Sequence, residues 1–362
     1  MSANWVLLLQ PQEGDACRKV GGLSIVLRLA LDAQAAGLKA VVDQTGDARV
    51  VAALMDRRLR LPVVHELPKD SKIIAVPAHW VCHRSTLPAL LANAPAEQDI
   101  LDLNHSKITC SAAWGFDPIA VTDERSAALA ERRLFRSLRK PQDGWTSRWL
   151  NRYISLFLSR FLVRTPLSPN QITVGILAIG FFGAYLASRG SYRGLAIGAV
   201  LFQLQSVLDG CDGEVSRITY RGSKAGEWFD TIGDDLTNYS YFACAAWGLY
   251  HAHGRLLYLI AGAVTVLCGL LSSGLEYRYL VKIGSGDLLK YPLSQATTAP
   301  SKGVASLAPL LKRDTFVFLT MLASIFNLVG VALLVFAVGA VGITIAVLRT
   351  EMRLARSVPG GR

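Results

Sequence analysis

The sequence predicts two unlike parts in one chain: an α/β domain with a parallel sheet over residues 1–140, and an all-α domain of six transmembrane helices over residues 167–362. An amphipathic helix at 141–166 joins them. Three observations predict this. Short aliphatic runs alternate with helical periodicity near the start, long apolar segments crowd the second half, and aspartates stand at regular spacing among those apolar segments.

In the first part, Trp5-Val-Leu-Leu-Leu9 reads as a short buried strand, Ser24 to Ala36 carries helical periodicity, and Leu38-Lys-Ala-Val-Val42 forms a second strand after Gly37. Lys72-Ile-Ile-Ala-Val76 makes a third. Strand, loop, helix, strand in that order implies a parallel, doubly wound sheet.

In the second part the candidate spans are Gln171 to Ser188, Gly194 to Leu208, Trp228 to Tyr250, Leu256 to Leu275, Thr315 to Val331 and Leu333 to Leu348. Some fall short of the roughly 20 residues a bilayer asks for, but the second runs on into the acidic stretch and gains length there. The last apolar run, about 34 residues, makes about 50 Å as one helix against a hydrocarbon core of about 30 Å, so it folds back near Asn327 to Gly330.

Charge agrees with a membrane protein. The 38 Lys and Arg exceed the 27 Asp and Glu, net +11, and they cluster at the ends of apolar segments, which fits topology and anionic-lipid contact rather than nucleic acid. Six spans put both termini on one side. Loops on that side hold Arg217, Arg221 and Lys224, then Arg278, Lys282, Lys290, Lys302, Lys312 and Arg313, then Arg349, Arg353, Arg356 and Arg362; the opposite loops hold Arg189, Arg193 and Arg255. The positive-inside rule therefore places the α/β domain and the acidic stretch in the cytoplasm. The six cysteines form no C-x-x-C and nothing resembles a secretory signal, so neither disulfides nor structural zinc are expected.

The acidic stretch reads Asp209-Gly-Cys-Asp212-Gly213-Glu-Val-Ser216-Arg217, eight residues, then Gly226-Glu-Trp-Phe-Asp230-Thr-Ile-Gly-Asp234. On helices, the pairs Asp209/Asp212 and Asp230/Asp234 each share a face, three and four residues apart. Ionisable groups at membrane depth cost several kcal/mol unless they pair, bind metal or face water, so these four demand a cation. A solvated loop would not require the glycines at 213 and 226, where a ligand can approach the backbone closely. An ion pathway is a further alternative, but Arg217 beside four acids suits a phosphate-bearing ligand better than a bare cation.

This spacing resembles the signature of the CDP-alcohol phosphotransferases, Asp-x-x-Asp-Gly-x-x-Ala-Arg, eight residues, Gly-x-x-x-Asp-x-x-x-Asp; the one departure is Ser216 in place of Ala. The resemblance implies a membrane enzyme that moves a phospho-alcohol from a CDP-alcohol to an acceptor hydroxyl with release of CMP. It implies two divalent ions, Mg²⁺ or Mn²⁺, held by Asp209, Asp212, Asp230 and Asp234, with Asp234 as general base. Asp212, Gly213, Arg217, Ser223, Lys224 and Gly226 would hold the nucleotide. A polyol or polyol-phosphate acceptor, membrane lipid and a homodimer are the implied partners, and Gly339, Ala340 and Gly342 would allow close contact between helices. Asp235 matches no family position. Arg278 to Lys312, with Ser285-Gly-Asp287, either borders an acceptor pocket or keeps a loop positive for topology. The non-enzymatic alternative is a membrane scaffold or cation transporter with a nucleotide-sensing domain.

The first part resembles the sugar-nucleotide type of nucleotidyltransferase, with Lys19, Gly22 and Arg28 in its frame. Its phosphate loop is replaced by Gln10-Pro-Gln-Glu-Gly14-Asp-Ala-Cys-Arg18, and Val76-Pro-Ala-His79 stands where that family has a metal-binding acid. The domain is therefore read as degenerate, left to bind a nucleotide or to anchor and regulate. His79, His83 and His105 are given no role. Between the parts, a basic run from Arg132 to Lys140 and a turn at Pro141–Gly144 lead into Trp145 to Arg164. There Trp149, Tyr153, Leu156 and Phe157 share one face of a helix that would lie on the membrane, or else dock on the α/β domain. Leu167-Ser-Pro169-Asn170-Gln-Ile-Thr173 resembles the CDP-alcohol phosphotransferases' entry to their first span, and Lys140 to Arg152 resembles the junction in members fused to a cytidylyltransferase, of the inositol-phosphate cytidylyltransferase and di-inositol-phosphate phosphate synthase type.

Overall fold

The computed structural model describes residues 4–11, 13–95, 98–104, 115–139, 144–294 and 313–357. His105, Cys110, residues 140–143, Lys302, Lys312 and Arg362 lie outside the described residues. The chain forms two compact units. One comprises Met1–Pro141, Arg160–Pro166 and Glu214–Arg221, the other Gln142–Ser159, Leu167–Gly213 and Gly222–Arg362.

The first unit holds strands β1 (Trp5–Gln10), β2 (Lys19–Val20) and β3 (Leu23–Ser24), helix α1 (Ile25–Ala35), β4 (Val41–Asp43), α2 (Ala48–Leu54), β5 (Val63–Val64), β6 (Lys72–Pro77), β7 (Trp80–Val81), α3 (Thr86–Ala92), β8 (Ile100–Asp102), β9 (Ile119–Ala120) and α4 (Glu124–Arg136). Its main sheet is parallel in the order β5-β4-β1-β6-β8, with Leu7 opposite Val41 and Ile74, and Ile73 opposite Ile100. Central β1 is covered on both faces, so Val6, Leu7, Leu8 and Leu9 are all buried rather than alternating.

The second strand begins later than the sequence pattern suggests. Leu38 still closes the end of α1, its N–H donating to Ala33 O at 3.1 Å, and Gly37 takes the left-handed turn at φ 84°. β5 and β8, of two and three residues, are too short to carry a periodicity.

In the second unit a π-helical segment, Ser147–Asn151, leads into α5 (Arg152–Leu162), whose last residues belong to the first unit. Then come α6 (Pro169–Ala187), α7 (Tyr192–Thr219), α8 (Lys224–His253), α9 (Leu256–Ile283), α10 (Arg313–Ile325) and α11 (Val329–Ser357). Ser168 and Gln171 cap α6 reciprocally with Pro169 at its first turn. Where α6 meets α7, a Cβ on Gly183 would stand 2.8 Å from Gly198 O, so two glycines set the approach. Phe202 of α7 stacks on Tyr241 of α8 with ring centroids 4.3 Å apart, and Phe242 packs edge-on against Phe202 and Phe336.

Among the described residues four helices, not six, are long and apolar enough to cross a membrane: α6, α7, α9 and α11. α8 has the length, but Glu227, Asp230, Asp234 and Asp235 crowd its first half. α10 has 13 residues, about 20 Å against about 30 Å of hydrocarbon. The predicted span Thr315 to Val331 accordingly ends at Ile325; the fold-back lies between Ile325 and Val329, with Asn327 left-handed at φ 59°. Leu267 and Leu271 on α9 and Val331, Val335 and Val338 on α11 stay exposed, an apolar surface that suits lipid.

Candidate active site

Helices α7 and α8 bring the aspartates together. Asp209, Asp230 and Asp234 each offer a carboxylate oxygen within 4.8 Å of the others. The i, i+4 spacing of Asp230 and Asp234 puts both on the face of α8 turned to α7. Asp212 stands beside this group, hydrogen-bonded to Asp230, and accepts a hydrogen bond from the Thr173 hydroxyl of α6. It is 4% exposed. Asp235, one residue past Asp234, points elsewhere: it accepts from Tyr277 Oη at 2.6 Å and Ser273 Oγ at 2.5 Å.

A guanidinium opposes these charges. Arg313, the first residue of α10, donates from Nη1 to Asp234 Oδ2 at 2.6 Å and lies 3.3 Å from Asp209 Oδ2. Its Nη2 donates to Gln205 Oε1 at 2.9 Å and its Nε to Asn238 Oδ1 at 3.2 Å. Gln205 Nε2 in turn donates to Asp234 Oδ1 at 3.3 Å. Gln205 and Asn238 sit one helical turn from Asp209 and Asp234, so each acidic face is prolonged by an amide that engages the same arginine.

Sequence reasoning missed Arg313, Gln205, Asn238 and Thr173 as site residues, having counted Arg313 only as a loop cation. Signals existed: an arginine in the first turn of a helix opposes the helix dipole and needs a compensating anion, and an amide in an apolar span needs a partner.

The expected nucleotide-binding positions fall differently. Ser223 is the N-cap of α8, its Oγ accepting from Gly226 N at 3.0 Å, and Lys224 opens that helix. A Cβ on Gly226 would meet Asn170 Oδ1 at 2.8 Å, so packing against the start of α6 already requires a glycine there. Gly213 follows Asp212 on α7, and Arg217 lies further along that helix, within the first unit. The Ser285–Asp287 stretch folds onto the first turns of α8, Gly286 N donating to Glu227 Oε2 at 3.1 Å and Gly286 O accepting from Thr231 at 2.9 Å.

In the first unit, His79 is buried, which holds its pKa below the usual histidine value, and a Cβ on Gly14 would stand 2.6 Å from its ring. His83 bonds Ser85 Oγ at 2.7 Å.

Three carboxylates converging on one small volume, with oxygen as the only donor type, fit a hard divalent cation. The chain matches the model of the CDP-alcohol phosphatidyltransferase domain over residues 166–348, just over half its length. The chain belongs to the CDP-alcohol phosphatidyltransferase family. The match contains the acidic stretch of α7 and α8, and it also takes in Arg313.

The chain is similar to curated proteins each called a bifunctional IPC transferase and DIPP synthase. It is 30% identical to the one from Aquifex aeolicus over 39% of this chain and 32% of that protein. It is 37% identical to the one from Rubrobacter xylanophilus over 43% of this chain and 34% of the relative. It is 29% identical to the one from Thermococcus kodakarensis over 70% of this chain and 52% of the relative. The chain thus spans about a third to a half of the length of these relatives.

Proposed function

We propose that this chain is an integral-membrane transferase that moves a phospho-alcohol group from a CDP-alcohol to the hydroxyl of a polyol or polyol phosphate, releasing CMP. The observation that carries this reading is the convergence of Asp209, Asp230 and Asp234 within 4.8 Å in a family member with apolar spanning helices. Membership of the family, with relatives called IPC transferase and DIPP synthase, supports a CDP-alcohol donor and an alcohol acceptor.

Asp209, Asp230 and Asp234, with Asp212 completing the set, would hold two ions of Mg²⁺ or Mn²⁺, whose charge neutralises an anionic pyrophosphate against the approach of an oxygen nucleophile. Asp234 takes the proton from the acceptor hydroxyl. The hydroxyl oxygen then bonds to the phosphorus that bears the alcohol, the bond from that phosphorus to the bridging oxygen breaks, and CMP leaves. Arg313 and Gln205 hold the two oxygens of Asp234 in one orientation. Asp212, Gly213, Arg217, Ser223, Lys224 and Gly226 serve the nucleotide.

In this reading residues 1–140 are a degenerate nucleotidyltransferase-like domain, 141–166 an interfacial segment and 167–362 the transferase domain. The sheet unit and the acidic motif face the cytoplasm, a placement favoured by Arg217, Arg221 and Lys224 at and after the end of α7 against Arg189 and Arg193 around its start. A homodimer fits the open space around Gly339 and Gly342 on α11.

The test is CMP release by the purified full chain in lipid nanodiscs, across a panel of CDP-alcohols and polyol acceptors. Turnover that disappears in Asp209→Asn supports the reading. A chain that yields no CMP with any pair overturns it.

A further inference from the structure

The sheet unit contains the last turns of α7, Glu214–Arg221, and it grips them by specific bonds. Arg28 of α1, 2% exposed, donates from Nη1 to Ile218 O at 3.0 Å and from Nη2 to Val20 O at 2.8 Å. Arg58 donates to Thr219 O at 2.6 Å. Two arginines thus cap the final carbonyls of α7, where the helix dipole is negative and acceptors are otherwise unmet.

Tyr220 ends the helix. It takes the left-handed conformation, φ 55°, and Arg221 N reaches back to Ser216 O at 3.2 Å, an arrangement that glycine usually fills. Its side chain repays the strain. The Tyr220 hydroxyl donates to Asp32, which is 1% exposed. Its ring lies 5.8 Å from the Arg28 guanidinium and 5.7 Å from that of Arg84, and it packs on the buried leucines 23, 27 and 31.

The Gly21–Gly22 turn completes the grip. Both residues have positive φ, a Cβ on Gly21 would come 3.1 Å from Ile218, and one on Gly22 would collide with Val163 O. Lys19, Gly22 and Arg28, the positions that resemble a nucleotidyltransferase, therefore lie in or beside the structure that holds a helix end.

We infer that the sheet unit acts as a clamp on α7, with Tyr220, Asp32, Arg28 and Arg58 as positioning residues for the transfer reaction. Asp212 lies eight residues before Tyr220 on the same chain, roughly 12 Å of helix, so a fixed end limits how far the acidic face of α7 can rotate. The inference rests on the transferase reading for its catalytic consequence.

The discriminating variant is Tyr220→Gly. Glycine is the residue the backbone prefers there, so a purely helix-ending role predicts unchanged or improved behaviour. A clamp predicts faster amide hydrogen exchange across 214–221 in the full chain. It also predicts a roughly tenfold fall in kcat for CMP release, the scale of one lost buried hydrogen bond and its packing, with KM for the CDP-alcohol little changed. Tyr220→Phe, which keeps the ring and loses the hydroxyl bond to Asp32, is expected to fall in between. Tyr220→Gly with wild-type kcat, or with unchanged exchange at 214–221, overturns the clamp alone. A wild-type chain that makes no CMP overturns the transferase reading and the clamp's catalytic role with it, while the exchange data still report whether Tyr220 holds the helix end.

Discussion

Arg313 and Asp234 form an ion pair 2.6 Å long across 79 residues of sequence, and the same guanidinium lies 3.3 Å from Asp209. The proposed base is therefore held by a cation from a different helix. With Gln205 on its other oxygen, the Asp234 carboxylate is held at both oxygens before an acceptor arrives, and each oxygen keeps a lone pair for the proton.

Arg313→Gln is expected to lower kcat for CMP release by about a hundredfold, the order of a buried ion pair broken on one side. Arg313→Lys recovers only part of this, since an ammonium cannot reproduce the planar fork that meets Asp234, Gln205 and Asn238. Steady-state kinetics on the two variants checks this; equal rates for Lys and Arg would mean that charge alone matters.

Asp234→Asn should abolish transfer while CDP-alcohol still binds, because the amide keeps the volume and loses the proton acceptor. Equilibrium binding of labelled CDP-alcohol beside a turnover assay reads both. Retained turnover removes Asp234 as the base.

Chelation should stop CMP release, and Mg²⁺ or Mn²⁺ should restore it. Independently of activity, a hundredfold excess of metal over its Kd should stabilise the folded chain by about 3 kcal/mol. Asp230→Ala should lose most of that thermal shift, measured by melting with and without metal.

Burial raises the Asp32 carboxyl from 3.8 to about 6, against the opposing pull of the Tyr220 hydrogen bond and the charges of Arg28 and Arg84. The folded state thus binds the proton more tightly than the unfolded chain. The associated stability, about 3 kcal/mol, is complete below pH 4 and is lost as pH rises through about 6. Asp32→Asn should flatten this part of the stability curve in urea unfolding at pH 4.5 and 7. A wild-type slope in the variant would assign it to another group.

Trp149, Tyr153, Phe157 and Phe161 form an exposed stripe at i, i+4 spacing, whereas Leu156, grouped with them in the sequence reading, turns inward and is buried. If the stripe lies in the membrane interface, a nitroxide on Phe157→Cys should be more accessible to oxygen than to a polar nickel reagent. The reverse order would place this face in water.

Much of the architecture was legible because it is local. Aliphatic runs at residues 5–9 and 72–76 specified two central strands, since a buried parallel strand needs apolar residues on both faces. The two-residue β5 was not legible, because only its pairing with β4 makes it a strand. The number of spanning helices was misjudged where length and charge compete: α8 is long but acidic, and the apolar run after Arg313 breaks at Asn327 into a short helix and a long one.

By itself the sequence determined that Asp209/Asp212 and Asp230/Asp234 would each share a helical face, since three- and four-residue spacing is a property of one helix. Only the tertiary structure decided that Asp209, Asp230 and Asp234 converge while Asp212 leans on Thr173, and that Arg313 supplies the opposing charge. It also decided that Tyr220 bonds Asp32, 188 residues away. Such partners are chosen by how helices pack, and packing depends on surfaces distant in sequence that no local period records.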